Sequence, residues 1–226
     1  MQSTGSQVSA REIDDLIDGF RAFRKRYYEQ QPQRMRELSE RGQSPQVLVI
    51  ACSDSRVDPA LLLGAEPGDL FTVRNVANLV PPYNPDSNHH STSAALEFAV
   101  RDLEVRHIVI LGHSSCGGIA ALRQSAAGTP IERDFIAPWM EIAADACHHT
   151  ADAGVPEQQT VEHDGIRISL KNLRSFPWVD AQIRAGNLTL HGWWVDLAGG
   201  RLCAINPDGG AIDLVAAPAE AASVAD

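Results

Sequence analysis

Two short stretches of the sequence combine residues that bind metals with residues that handle protons. CSDSR, residues 52–56, follows the apolar run VLVIA, and HSSC, residues 113–116, follows the run HIVILG. Thiolate sulfur and imidazole nitrogen are ligands that zinc prefers in proteins. Cys52, His113 and Cys116 therefore predict a zinc site, and Asp54 and Arg56 stand beside its first ligand.

The two apolar runs indicate how these residues come together. An uninterrupted apolar run is typical of a parallel strand that is covered on both faces. The carboxyl ends of parallel strands open on one edge of the sheet, where α/β proteins bind their ligands. We therefore expect Cys52, His113 and Cys116 to converge at that edge.

The fourth zinc position decides whether such a site is inert or catalytic. Four protein ligands close a structural site, whereas a catalytic site keeps one position for water. Here the fourth ligand is either water or Asp54. Arg56 can hold Asp54 in a bidentate pair, which favours the open form. Zinc with two thiolates and a neutral imidazole carries no net charge, so a bound water can lose its proton and become the nucleophile.

The N-terminal half predicts a helical arm followed by alternating strands and helices. Ser9 and Glu12 form a capping-box pattern, and apolar residues recur after them at helical spacing. The segment GQSP breaks the chain before the first buried strand, GDLFTVRN predicts a second strand, and PPYNPDSNHH predicts a loop. Serines at positions 91 and 93 are suited to cap a helix before HIVILG. This order of elements favours a parallel sheet.

The C-terminal part predicts further helices and an antiparallel hairpin. Pro177 interrupts the helical pattern of GIRISLKNLRSFPWV, and LTLHGWWVDLAGGRLCAINPDGG alternates about Gly199 and Gly200. The predicted fold class is α/β, with a mostly parallel β-sheet flanked by helices, an N-terminal helical arm and a C-terminal antiparallel edge hairpin. We expect a single domain over residues 1–226, with the arm in 1–40 and a loose tail in 216–226.

Composition narrows the classes of partner. The 226 residues carry a formal net charge of -10, which opposes general binding to nucleic acid or to anionic membranes. The sequence contains no run of eighteen apolar residues, which a membrane-spanning helix would need. The N-terminus lacks the pattern of a signal peptide. We therefore expect a cytoplasmic protein whose four cysteines are free thiols or metal ligands rather than disulfides.

CSDSR and GHSSCGG, together with PGDLFTVRNVANLVPPY and AALEFAV, resemble the β-class carbonic anhydrases. The resemblance extends from about residue 42 to residue 194. It implies zinc-dependent, reversible hydration of carbon dioxide to bicarbonate and a proton, by attack of zinc-bound hydroxide. The implied zinc ligands are Cys52, His113 and Cys116, and the implied orienting dyad is Asp54 with Arg56. The resemblance further implies a homodimer built around the N-terminal helices, or a tetramer or larger even assembly.

The resemblance is to the plant-like, open-site type of this family. The substrate-binding residues it implies are Gln43, Phe71, Val76, Phe98 and Gly117. Phe98 replaces a tyrosine of the family, so one hydroxyl is missing from the implied pocket. Val49 stands where the other type carries a tryptophan, so we expect no closure of the zinc by Asp54 when bicarbonate binds.

Two other functions remain open for the same zinc site. The first is hydrolysis of carbonyl sulfide or carbon disulfide, because hydrolases of those substrates resemble this family. The second is a catalytically silent, zinc-stabilised module that binds a partner protein. Turnover assays on each substrate separate these functions from carbon dioxide hydration.

Overall fold

The N-terminal arm is helical in the computed structural model, which describes residues 5–147 and 157–216, with side chains from residue 13 onward. By its internal contacts the chain divides into two compact units, residues 1–44 and residues 45–226. The first unit holds α1, Gly5–Arg24, which continues through Lys25–Gln30 as a wider π-type helix. It then holds α2, Pro32–Arg41, where Pro32 occupies the first turn and therefore sacrifices no intrahelical hydrogen bond.

The helical arm is confirmed, but the predicted start of its first helix is wrong. Helix α1 already includes Ser9, so Ser9 does not cap it. The capping pattern at Ser9 and Glu12 is a coincidence of spacing inside a longer helix. One face of α1 leaves large apolar side chains exposed, namely Ile13, Leu16, Ile17 and Phe20, of which Leu16 is 71% exposed.

The second unit is built on one six-stranded sheet. Its strands are β1 Val47–Cys52, β2 Leu70–Asn75, β3 His107–His113, β4 Thr189–Asp196, β5 Arg201–Ile205 and β6 Ala211–Val215. They lie in the order β2-β1-β3-β4-β5-β6. The first four strands pair in parallel and the last two pair antiparallel. The prediction of a mostly parallel sheet with an antiparallel C-terminal edge is therefore confirmed.

Helices connect the strands and cover the sheet. They are α3 Pro59–Leu63, α4 Ser91–Glu97, α5 Gly117–Ala126, α6 Ile136–Met140, α7 Gln158–Leu173 and α8 Pro177–Arg184. Two of them continue in altered geometry, α4 through Phe98–Asp102 as a π-type helix and α6 through Glu141–Cys147 as a 3-10 helix. The predicted capping of α4 by serine is wrong, because its N-cap is His90 and no side chain caps it. Among the described helices, none is long and apolar enough to cross a membrane.

Strands β1 and β3 form the centre of the core because successive residues of each strand are buried on opposite faces. Leu48 and Ile50 pack with residues of α4, α7 and α8 in one apolar cluster. Val49 and Val109 belong to a separate cluster on the other face, together with Trp193 of β4. This two-sided burial explains why both strands are continuous apolar runs in the sequence.

The hairpin predicted at Gly199 and Gly200 joins β4 to β5. Gly200 has a φ of 63°, and a side chain on Gly199 would lie 2.6 Å from Asp196 Oδ2. Gly200 thus has a backbone conformation that favours glycine, whereas a side chain at Gly199 would require the Asp196 carboxylate to shift. The sheet continues into β6, a strand that the sequence pattern did not predict. Residues 217–226 of the predicted loose tail lie outside the described residues.

Candidate metal centre

Cys52, His113 and Cys116 meet at one edge of the sheet. Cys52 ends β1, His113 ends β3, and Cys116 directly precedes α5. Their ligand atoms lie within 4.8 Å of one another, and all three side chains are buried. The two sulfur atoms are 4.0 Å apart, and both cysteines are free thiols. The convergence expected from the two parallel strands is therefore observed.

The donor atoms of this cluster fit a zinc ion. Two zinc–sulfur bonds of about 2.3 Å at a tetrahedral angle place the sulfur atoms about 3.8 Å apart, close to the separation observed. The Nδ1 atom of His113 lies 2.9 Å from the carbonyl oxygen of Ser114, and this contact fixes the proton on Nδ1. Among the described residues, His113 Nε2 is buried and has no hydrogen-bond partner. A metal ion is the partner that satisfies such an imidazole lone pair between two thiols.

The ionisation of the cluster favours metal binding. A hydrogen bond from Cys116 lowers the pKa of the Cys52 thiol, although burial acts in the opposite direction. The same contact, with burial, raises the pKa of Cys116. Burial, the largest single effect, lowers the pKa of His113, but interactions with Cys52, Ser114 and Asp54 together raise it. The two neighbouring thiols share one readily lost proton, and a metal ion has to displace the other.

Asp54 and Arg56 form a bidentate ion pair beside the cluster. Arg56 Nε donates to Asp54 Oδ1 at 2.9 Å, and Arg56 Nη2 donates to Asp54 Oδ2 at 2.7 Å. Hydrogen bonding to Arg56 holds the pKa of the Asp54 carboxyl well below its usual range. Asp54 Oδ2 also lies 4.0 Å from His113 Nε2. The ionised carboxylate thus reaches the edge of the metal centre while both its oxygens are held by arginine.

Arg56 also ties the two loops of the centre together. Its Nη2 atom donates to the carbonyl oxygen of Ser115 at 3.1 Å. Ser115 has a φ of 57°, in the left-handed region that few residues other than glycine adopt. The side chain that orients Asp54 therefore also supports the strained turn between His113 and Cys116.

Arg74 is a residue of the centre that the sequence analysis missed. From β2, its Nε atom donates to the carbonyl oxygen of Cys52 at 3.1 Å, and its Nη2 atom donates to that of Asp54 at 2.7 Å. Its Nη1 atom pairs with Asp58 at 3.0 Å. One guanidinium group thus fixes the backbone on both sides of Ser53. The only signal in the sequence was a charged residue within the predicted strand LFTVRN.

Comparison with known proteins identifies the family. The family model described as carbonic anhydrase matches residues 47–202. The β carbonic anhydrase 5 of Arabidopsis thaliana, named as a chloroplastic protein, is 40% identical over 206 residues, which is 84% of this chain and 67% of that protein. A carbonic anhydrase of Pseudomonas aeruginosa is 39% identical over 85% of this chain and 87% of its own length. This chain belongs to the β-carbonic anhydrase family.

Solved structures of β-carbonic anhydrases share the fold. The β-carbonic anhydrase CcaA superposes with a TM-score of 0.76 at 30% identity, over 93% of this chain and 94% of its own. A tetrameric β-carbonic anhydrase of Sordaria macrospora superposes with a TM-score of 0.74 at 29% identity, over 89% of this chain and 99% of its own. The family resemblance stated from CSDSR and GHSSCGG is therefore confirmed.

Val76 and Gly117 lie close to the cluster in this β-carbonic anhydrase. Val76 directly follows β2, and Trp139 Nε1 donates to its carbonyl oxygen at 2.8 Å. Gly117 is exposed and is the first residue of α5, so its N–H is among those without an acceptor inside the helix. No heavy atom lies within 4 Å of the place where its side chain would begin. Open space therefore lies beside the Cα atom of Gly117, next to Cys116.

Two further residues of the implied pocket, Phe71 and Phe98, lie apart from the metal cluster. Phe71 pairs with Leu48, four residues before Cys52 on the neighbouring strand. At about 3.3 Å per residue, this step along the strands is roughly 13 Å. Phe98 packs against Phe71 with ring centroids 5.8 Å apart. Gln43 is an exposed residue of the first unit. Within one chain of this β-carbonic anhydrase, the aromatic pair Phe71–Phe98 is thus set apart from the metal cluster along the strands.

Proposed function

We propose that this chain hydrates carbon dioxide reversibly to bicarbonate and a proton, with a zinc ion held by Cys52, His113 and Cys116. The observation that carries the proposal is the intact Asp54–Arg56 ion pair beside a three-ligand cluster. Three protein ligands match a catalytic zinc site rather than a structural one. When bound, zinc lowers the pKa of a water molecule and so supplies a nucleophile near neutral pH.

Asp54 orients the nucleophile in this proposal. Its Oδ2 atom accepts a hydrogen bond from the attacking oxygen, because the carboxylate is ionised and lies at the edge of the cluster. Arg56 engages both carboxylate oxygens and keeps Asp54 from becoming a fourth ligand. This arrangement supports the open-site form predicted from the sequence.

Gly117 and Val76 receive the substrate beside the nucleophile. The free N–H at the start of α5 donates to the oxygen on which negative charge develops. The open space at Gly117 allows that oxygen to approach. Val76 supplies an apolar surface that suits uncharged carbon dioxide.

We infer that a second copy of the chain completes the pocket. Phe71 and Phe98 form an aromatic pair about four strand residues from the cluster of their own chain, and Phe98 is 45% exposed. The exposed apolar face of α1 is suited to hold two copies together. Gln43 is proposed to join this substrate surface. The assembly is a homodimer or a larger even homo-oligomer, and the Sordaria macrospora relative is a tetramer.

Two further parts of the proposal rest on the sequence. The net charge of -10 supports small-molecule substrates without a nucleic-acid partner. Location in the cytoplasm stays a prediction, and one relative is named as a chloroplastic protein.

Stopped-flow hydration of carbon dioxide tests the proposal on protein with measured zinc content. We expect activity in the wild type and a loss of about a hundredfold or more in Asp54→Asn, since a positioned acid–base group contributes about 10²–10⁴-fold. Asp180→Asn is the matched control, because Asp180 pairs with Arg174 and Arg184 on another part of the chain. It should retain full activity.

Parallel assays with carbonyl sulfide and carbon disulfide decide between the remaining functions. One zinc per chain without carbon dioxide hydration at any pH contradicts the proposal. Turnover of a sulfur substrate would then identify a hydrolase, and inactivity on all three substrates would identify a silent zinc module.

A further inference from the structure

A buried carboxylate contacts the backbone of Cys116, one member of the metal cluster. Glu162 is on α7 and is 4% exposed. Its Oε1 atom accepts the backbone N–H of Cys116 at 3.0 Å, and its Oε2 atom accepts the indole N–H of Trp194 at 3.1 Å. Both oxygens of the side chain therefore act as acceptors.

Gln158, one turn earlier on α7, completes a clamp around Cys116. Its Nε2 atom donates to the carbonyl oxygen of Cys116 at 3.0 Å and to Glu162 Oε1 at 2.8 Å. Glu162 thus holds the N–H of Cys116 and Gln158 holds its C=O. Both peptide groups that flank the Cα atom of this thiol ligand are fixed by one helix.

Cys116 has ordinary extended backbone angles, but it directly follows Ser115, which lies in the left-handed region, and directly precedes α5. Support at Cys116 therefore also holds the strained turn before it. Trp194, which is buried in β4, anchors the second oxygen of Glu162, so the carboxylate is itself held in place. Burial of a carboxylate this deeply is unfavourable unless hydrogen bonds compensate for the lost contact with water. Glu162 accepts hydrogen bonds from Cys116 and from Gln158, which also holds Cys116, and from Trp194, which orients the carboxylate.

We propose that Glu162, with Gln158, is a positioning residue that sets the orientation of the Cys116 thiolate toward the metal. The inference deepens the proposed function, because it rests on Cys116 being a zinc ligand. Glu162 acts through the Cys116 peptide and does not contact the metal or the substrate. Its loss should therefore change the strength and geometry of metal binding as well as turnover.

Zinc affinity and the absorption spectrum of the cobalt-substituted protein test the inference. In Glu162→Met, a side chain of similar length offers no oxygen to the N–H of Cys116 or to Gln158, so the clamp opens. We expect zinc affinity to fall by about 10–100-fold, as for other outer-shell partners of metal ligands. The thiolate-to-cobalt charge-transfer bands should shift or weaken. A purely structural residue would lower thermal stability of the metal-free chain without moving either readout.

Three other variants make the result specific. Gln158→Ala removes the carbonyl end of the clamp near the start of α7, and it should lower zinc affinity severalfold. Trp194→Phe keeps the bond from Cys116 to Glu162 and should leave the cobalt spectrum close to that of the wild type. Asp164→Asn removes a buried carboxylate from the same helix, where it pairs with Arg167, and should leave zinc affinity within twofold.

The outcomes separate this inference from the proposed function. Unchanged zinc affinity and a superimposable cobalt spectrum in folded Glu162→Met overturn the inference and leave the proposed function intact. A wild-type chain that binds no zinc overturns both. If Glu162→Met does not fold, Gln158→Ala decides, since an unchanged cobalt spectrum there also overturns the inference.

Discussion

At the scale of single residues, the metal centre depends on arginines that bind backbone oxygens. Arg56 donates to the carbonyl oxygen of Ser115, and Arg74 donates to those of Cys52 and Asp54. These contacts fix the two loops that carry the ligands, so the side chains need little reorganisation when a metal or substrate binds. A guanidinium group suits this role because its donors form a rigid planar fork.

Arg74→Lys tests whether that fork positions Asp54. Lysine retains the charge but cannot reach two carbonyl oxygens and the Asp58 carboxylate in one plane. We expect kcat for carbon dioxide hydration to fall by about 10–100-fold, because displacement of a catalytic group by about 1 Å has an effect of this size. Arg101→Lys is the matched control, since Arg101 pairs with Glu97 on an exposed helix face. Equal activity of both variants would show that charge alone is sufficient at position 74.

The convergence of Cys52, His113 and Cys116 was predictable from the sequence, whereas the residues that support them were not. Cys52 and His113 end apolar runs, and parallel strands bring such ends together whatever the rest of the chain does. Arg74 and Glu162 act through bonds to backbone atoms 22 and 46 residues away. The pattern of side chains carries no signal for those bonds, because any residue at the accepting position offers the same carbonyl or N–H.

At the scale of elements, the start of α5 is fitted closely to the turn after β2. Asn75 binds both the N–H and the C=O of Leu79 through its side chain, and Ala77 between them has a φ of 63°. A side chain on Gly118 would begin 2.8 Å from Val76 Cγ1 and 3.1 Å from the Cβ of Ala77. The metal centre therefore tolerates no added atom between these two elements.

Gly118→Ala tests this fit. Alanine favours a helix by about 1 kcal/mol, but the overpacking of about 1–3 kcal/mol should prevail. We expect a lower unfolding midpoint in urea and a lower kcat, because α5 and Val76 have to move apart. Gly165→Ala in α7 is the control, since its nearest neighbour would be Ile119 Cδ1 at 3.5 Å, an ordinary contact. It should be neutral or stabilising, and a stabilised Gly118→Ala would contradict the close fit.

Helix α7 also carries a histidine, His163, that makes the folded chain less stable at acid pH. Burial, with a smaller effect of Arg167, lowers the pKa of His163, while Asp164 raises it. The unfolded chain therefore binds a proton at this position more readily than the folded chain, and stability is lost as pH falls below about 6.5. Its ring packs edge-on against Trp194, with centroids 4.9 Å apart.

His163→Gln should flatten the dependence of stability on pH. Each proton excluded from the folded state contributes a slope of at most about 1.4 kcal/mol per pH unit. Urea unfolding of the zinc-loaded wild type and variant between pH 7.5 and 5.5 measures the difference, in which effects of the common metal centre cancel. The two curves should run parallel above pH 7.5. A variant with the slope of the wild type at pH 6 would mean that His163 is protonated without penalty in the folded chain.

The strands and helices were predictable from the sequence where burial sets the pattern of apolar residues, and they were less predictable elsewhere. The central strands and the break at Pro177 follow directly from apolar runs and from proline. Strand β6 was missed because all five of its residues are exposed, so no alternation marks it. Both predicted helix caps were wrong, since α1 already includes Ser9 and the N-cap of α4 is His90, which directly precedes Ser91.

At the scale of the whole molecule, the position of Phe71 and Phe98 points beyond one chain. They pack against each other, about four strand residues from the metal cluster on the same sheet. A symmetric dimer has the same surface on both copies, so a residue that is distant within its own chain can reach the partner's site. The metal cluster and Asp54, in contrast, are complete within one chain.

Mixed assemblies should therefore recover activity that neither parent has. Cys52→Ser removes a zinc ligand, and the double variant Phe71→Ala/Phe98→Ala removes the aromatic pair. In a mixed dimer, the chain with intact ligands receives the aromatic pair of its partner, so one of two sites is complete. Random mixing of equal amounts makes about half of the dimers mixed, and activity should reach about a quarter of the wild-type value per chain. Cys52→Ser mixed with Asp54→Asn is the control, because both changes fall in the same half-site and no recovery is expected. If the aromatic mixture is no more active than the average of its parents, Phe71 and Phe98 act only on their own chain.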